Sequence, residues 1–170
     1  MKAIKKIMFV AAAIIFTNAS FAQQEKTVMV GGAAMYPSKN IVENAVNSKD
    51  HTTLVAAVKA AGLVATLESV GPFTVFAPTN SAFEMLPAGT VNNLLMEENK
   101  PALTTILTYH VVSGKYTAAD IAKLIKVGNG TTMLKTVAGK NLWLMMKGNK
   151  ISIKDENGGM AYVTIKDVNQ

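Results

Sequence analysis

Apolar and polar positions along this chain divide it into a helical first two thirds and a strand-rich end. Between Asn40 and Ser69, Leu54, Val55, Val58 and Leu63 recur at helical intervals with alanines between them, and Gly62 is expected to split the region into two short helices. Asp50, Thr52 and Thr53 are candidate N-caps. Phe73-Thr74-Val75-Phe76 reads as a strand that must stop by Pro78, which has no N–H for a ladder. A helix follows. Ser81-x-x-Glu84 has the form of a capping box, with Thr79 or Asn80 as alternative N-caps. Phe83 and Leu86 are expected to face the core, and Pro87-Ala88-Gly89 to end the helix. Stretches 90–97 and 102–109 are helical and divided at Pro101. Val111-Val112 opens a strand, Ser113-Gly114 turns, and 118–125 is a helix capped by Thr117.

After Gly130 the period changes. Segments 132–137, 141–147, 150–155 and 161–167 read as four strands, with Ile151 and Ile153, then Val163 and Ile165, alternating with polar residues. Ala138-Gly139-Lys140, Gly148-Asn149 and Asn157-Gly158-Gly159 separate them, and such residues supply the positive φ of tight hairpins. Helices first and an antiparallel meander last imply an α+β architecture rather than a doubly wound sheet. Val28-Met29-Val30 is a candidate short strand in a lead-in spanning 23–37, punctuated by Gly31-Gly32 and Pro37.

The N-terminus adds a compartment. Lys2, Lys5 and Lys6 precede an apolar run from Ile7 to Phe16, and Ser20-Phe21-Ala22 places small residues where a signal peptidase reads. Residues 1–22 are thus expected to be a signal peptide cleaved after Ala22, and the protein to be exported to the periplasm or beyond the cell. The apolar run falls short of the roughly 20 residues that span a bilayer, and no later segment approaches that length. Cysteine is absent, which removes thiolate chemistry, cysteine metal sites and attachment as a lipoprotein. Three of the 17 basic residues fall in the expected leader, leaving 14 lysines against 11 acids, and there is no arginine. Scattered lysines without arginine describe a solvated surface, not a nucleic-acid footprint.

Candidate chemistry is thin. The two histidines, His51 and His110, match no zinc spacing, and no G-x-S-x-G elbow accompanies them. Ser113 is close to His110 in sequence, but a strand sends neighbouring side chains to opposite faces. Asp155-Glu156-Asn157-Gly158-Gly159 lacks a calcium loop's full pattern and reads as a polar hairpin tip. Gly128-Asn129-Gly130 is no phosphate loop, and the glycosylation sequon at 129–131 is taken as chance. Ten methionines, Met145 and Met146 beside Trp143 among them, are read as core filler. No enzyme activity, cofactor or metal is expected.

Two stretches carry a resemblance. T-V-F-A-P-T-N-S-A-F at 74–83 and I-L-T-Y-H-V-V-S-G-K-Y at 106–116, in this order and with Ala60-Ala61-Gly62-Leu63 before them, resemble the signature segments of the fasciclin domain. The resemblance covers 38–170 and implies a compact β-sandwich or wedge with several short helices packed on it, and a role in cell adhesion or matrix attachment without catalysis. Thr74, Phe76, Ala77, Pro78, Thr79, Asn80 and Phe83 match the first motif and are expected to be mainly structural. By the same resemblance Tyr109, His110, Asp120 and Ile121 match positions tied to integrin binding in animal members, although packing and hydrogen bonding are the preferred roles of Tyr109 and His110. Burial of His110 would make its removal cost about 1–3 kcal/mol. Family members close with a further apolar strand that is expected to be missing at Asn169-Gln170, leaving a sheet edge open to self-association. The expected partner is a protein or a cell-surface or matrix component, with no nucleic acid. The alternative is an envelope carrier holding a small apolar ligand between sheet and helices.

Overall fold

In the computed structural model, which describes residues 26–69 and 71–168, the lead-in is a hairpin. Strands β1 (Val28–Val30) and β2 (Ala33–Met35) pair antiparallel around Gly31-Gly32, both at positive φ as a two-residue hairpin turn requires. The hairpin docks on the following segment: Lys49 N–H donates to Gly31 O at 3.1 Å. The buried Asn44 side chain holds β2 from the other side, its Oδ1 accepting from Tyr36 N and its Nδ2 donating to Tyr36 O.

Helices α1 (Ile41–Ala45), α2 (Thr52–Ala60) and α3 (Val64–Leu67) follow, and Gly62, at φ +70°, breaks the path as expected. None of the candidate caps Asp50, Thr52 and Thr53 serves α2, whose N-cap position is His51 without a side-chain bond. Strand β3 (Phe73–Val75) leads to α4 (Asn80–Glu84). The Ser81/Glu84 capping box does not form. Thr79 holds the N-cap position of α4, and its hydroxyl lies 2.9 Å from that of Ser81. Capping boxes form instead at Asn40/Glu43 on α1 and Thr117/Asp120 on α7 (Ala118–Val127). Helix α4 is too short to bring Leu86 inward, and that side chain is 41% exposed.

Helix α5 (Thr90–Leu94) precedes α6 (Lys100–Tyr109). Pro101 sits in the first turn of α6 rather than between helices, a place where its missing N–H costs nothing. Strand β4 (Val111–Ser113) pairs antiparallel with β3. After α7 come β5 (Thr131–Lys135), β6 (Asn141–Lys147), β7 (Lys150–Lys154) and β8 (Met160–Tyr162), an antiparallel sheet in sequential order. A bridge between Val112 and Thr136 joins this sheet to the β3–β4 pair. Strand β8 stops well short of the expected 161–167. Beyond it Val163 N still donates to Ile151 O, but Asp167 takes φ +57° and its Oδ1 accepts from Ala118 N, so the chain leaves the sheet for the start of α7.

Two hydrophobic cores result. In one, Leu54, Ala57, Val58 and Ala61 of the α2 region meet Leu103 and Leu107 of α6. In the other, Ile121 and Ile125 of α7 pack on Leu134, Leu142, Leu144 and Ile151 of the sheet and on Val112. Leu144 is completely buried.

Candidate functional site

The two motif segments meet at the seam between the cores. Phe76, just after β3, packs on the sheet core, whereas Phe83 on α4 packs on the helical core. Pro78 lies between them, so the turn it enforces lets one short segment reach both. Thr74 on β3 donates to Gly114 O at 2.7 Å and accepts from Tyr116 N at 2.9 Å, closing the turn after β4. Asn80 reaches further. Its Oδ1 accepts from Thr53 N, and its Nδ2 donates to Lys49 O and Thr52 Oγ1. Asn80 therefore caps α2, a helix whose own N-cap residue offers no bond. Ala77 is exposed and Thr79 is half-buried at the start of α4.

The second motif spans the same seam. Tyr109, half-buried at the end of α6, packs on the sheet core, and its hydroxyl donates to Asn141 O at 3.0 Å and accepts from Glu156 N at 3.4 Å. Burial raises the Tyr109 pKa above the usual 10.0. His110 meets the Tyr109 ring edge-on, with centroids 6.1 Å apart, and its Nδ1–H donates to Ile106 O at 2.8 Å. It is half-buried and that bond is exposed, so it does not occupy the enclosed setting on which the stability estimate rested.

Asp120 and Ile121 have structural duties. The Asp120 carboxylate accepts from Thr117 Oγ1 and Thr117 N, and these bonds, the hydroxyl's first, lower its pKa. Ile121 is 3% exposed inside the sheet core, near the half-buried Tyr109 that packs on the same cluster. Of the four candidate interaction residues, Tyr109 and His110 touch each other, Asp120 caps a helix, and Ile121 is interior.

Hairpin tips lock together beside Tyr109. Glu156 accepts from Asn141 N at 3.1 Å and pairs with Lys140 at 3.2 Å, contacts that lower its pKa in that order. Asp155 accepts from Asn157 N and Gly159 N, which makes 155–159 the self-capped polar tip that its composition implied. Sequence reasoning passed over Asn44, the long-range role of Asn80, and a buried hydrogen bond between Ser48 Oγ and His51 Nδ1 at 2.8 Å. Only Asn40-x-x-Glu43 left a legible signal, the capping-box spacing itself.

Among the described residues, no three His, Asp or Glu side chains converge where they could hold a metal ion, and no helix is long and apolar enough to cross a membrane. Two shallow depressions open on the described surface. One, about 220 Å³, lies against Trp143, Met145, Lys154 and Glu156, and the other, about 340 Å³, between α7 and the 163–167 segment.

Comparison with known proteins agrees with this architecture. The chain is 48% identical over 129 residues to protein sll1483 of Synechocystis sp., covering 76% of this chain and 67% of that one. It is 42% identical over 101 residues to the immunogenic protein MPB70 of Mycobacterium bovis, covering 56% of this chain and 51% of the relative, so it spans about half of that protein's length. The solved FAS1 domain pair from the insect cell adhesion molecule Fasciclin I superposes with a TM-score of 0.68 at 18% identity, over 79% of this chain and 47% of that one. The Fasciclin domain family model matches residues 49–170, a range that includes both stitched motifs, and the chain belongs to that family.

Proposed function

We propose that this protein is a non-catalytic, exported interaction module that attaches to a cell-surface or matrix component. The observation that carries the reading is how the motif residues are used. Thr74, Asn80 and Tyr109 of the motifs, and Asp120 just beyond them, have their polar groups engaged inside the fold, so the motifs hold a scaffold and leave recognition to its surface. Family membership and the adhesion role named for the insect protein support the same reading. Within the second motif, His110 beside the 40%-exposed Ile106 has surface to offer a partner, whereas Ile121 acts by holding that surface in place. A carrier would favour an enclosed apolar pocket of several hundred cubic ångströms. The two open depressions, each with charged residues in its lining, fit a contact surface better. Strand β8, at one edge of the meander, offers a second route through pairing with another chain's strand.

The test is retention of protein-coated beads on envelope preparations and on extracellular matrix. Saturable retention that falls on His110→Ala, at an unchanged melting temperature, is the expected result. Retention no better than that of an albumin-coated bead on both surfaces rejects the reading. Sedimentation over a range of concentrations tests the β8 route.

A further inference from the structure

The register of the meander fixes which side chains share its outer face. One row across β5, β6, β7 and β8 reads Met133, Trp143, Lys154, Met160. The next reads Thr131, Met145, Ser152, Tyr162, and Lys147 opposite Lys150 makes a third. Helix α7 packs on the other face, through Ile121 and Ile125. Neither Trp143 nor Met145 belongs to either core. Met133, Met160 and Tyr162 are each about half exposed, at 55%, 45% and 45%. The chain therefore presents two aromatic rings and three methionines as a platform on a sheet.

Charge on this face is mainly positive, and the two acids that border it beside Trp143 are already engaged, Glu156 with Lys140 and Asp155 with the amides of Asn157 and Gly159. Lys135, Lys147, Lys150 and Lys154 share the face by register, and the strands β5 to β8 contain no acid. The ion pairs among the described residues, Lys100–Glu97 and Lys140–Glu156, leave these four lysines without a carboxylate partner. The Lys147 ammonium lies over the Tyr162 ring, 5.9 Å from its centroid. Directional polar groups are absent from the middle of the face. The Ser152 hydroxyl donates to Met145 O and the Thr131 hydroxyl to Leu144 O, so neither is left to read a peptide or a sugar.

We propose that this face docks on an anionic lipid bilayer surface. Tryptophan and tyrosine settle at the boundary between headgroups and acyl chains, flexible methionines fill an irregular apolar layer, and surrounding lysines meet lipid phosphates. A second copy of the chain is a poor occupant, because face-to-face pairing sets lysine against lysine. The idea is independent of the adhesion reading, which rests on the motif region around His110.

The chain has a single tryptophan, and it stands in this platform. The experiment mixes the exported protein with vesicles of phosphatidylcholine alone and with equal parts phosphatidylglycerol, following Trp143 emission and co-sedimentation. The expected result is a blue shift and sedimentation with anionic vesicles only, quenching of Trp143 by lipids brominated near the headgroup, and a fall in partitioning on the order of tenfold or more for Lys147→Gln with Lys154→Gln. Circular dichroism confirms that the variant is folded. Sedimentation without any change in Trp143 emission means that another part of the chain binds, and overturns the proposal. A blue shift that rises with protein concentration in the absence of lipid assigns the face to self-association and also overturns it. Loss of bead retention in His110→Ala with vesicle binding intact separates this site from the adhesion surface.

Discussion

Asn80 caps a helix that begins 28 residues before it: its Oδ1 accepts the amide hydrogen of Thr53 at 3.0 Å. The same side chain donates to Lys49 O and Thr52 Oγ1, so one amide satisfies a helix start and the turn leading into it. Asn80→Ala is expected to cost about 1–2 kcal/mol, the upper part of the range for a lost N-cap. Asn80→Asp keeps the acceptor but loses both donations, and should fall between the two. Urea midpoints of the three proteins check the order.

Ile121 and His110 should separate cleanly in a stability measurement. Ile121 is enclosed by the sheet core, and Ile121→Ala should cost about 2–5 kcal/mol. His110 is half-buried with an exposed bond, and His110→Ala should cost under about 1 kcal/mol. A loss of attachment in Ile121→Ala would therefore be accompanied by a lower melting temperature, and in His110→Ala it would not.

Acid should loosen two specific contacts. Asp120 and Glu156 have pKa values held below their usual 3.8 and 4.5, by the Thr117 bonds and by Asn141 N and Lys140 respectively. A carboxylate depressed in the folded state contributes stability that is present above its unfolded pKa and is lost as pH falls through the folded value. The denaturation midpoint should thus decline from about pH 5 downward. Thr117→Val should bring the Asp120 titration, followed by NMR, back towards 3.8. Both groups are solvent-accessible, so added salt should shrink the Glu156–Lys140 part.

Gly31 sits at φ +55°, and a Cβ there would press on the Ser48 hydroxyl and the Lys49 and Asp50 amides. Gly31→Ala is expected to unseat the β1–β2 hairpin at a cost of about 1–3 kcal/mol. Trypsin cleavage at Lys39 and Lys49 should become faster, while Gly32→Ala, with open space around its Cβ, should affect only the turn. Equal cleavage of Gly31→Ala and the parent would show the hairpin to be loosely held.

The meander was legible because strand alternation and glycine turns act locally. β6 follows the expected bounds at both ends, and β5 and β7 differ by a residue or two. Helix α7 was legible for the same reason, since Thr117 and Asp120 cap it within one turn. What the sequence concealed depends on distant partners. The alternation of Val163 and Ile165 looks like strand, yet Asp167 is drawn 49 positions back to Ala118 N. Asn80 resembled a local cap for α4 because nothing near it points to Thr53. The resemblance marked Tyr109, His110, Asp120 and Ile121 as a group, but only burial separates an interior isoleucine from a histidine with surface to offer. The leader expected at 1–22 lies outside the described residues.

The fully buried members of the two cores do not interleave along the chain. The helical one is complete between Leu54 and Leu107, and the buried members of the sheet core run from Val112 to Ile151. A chain delivered N-terminus first, as through an export channel, thus carries its whole helical cluster across before the first buried residue of the sheet core emerges. Strand β3 then waits for β4, its strand partner among the described residues, with Phe76 still uncovered. Tyr109 and His110 mark the point of handover, so the motif between the cores coincides with the boundary between an early-closing and a late-closing half. Amide exchange during refolding should resolve them as two successive protections, α2 and α6 first, with β4 to β7 following.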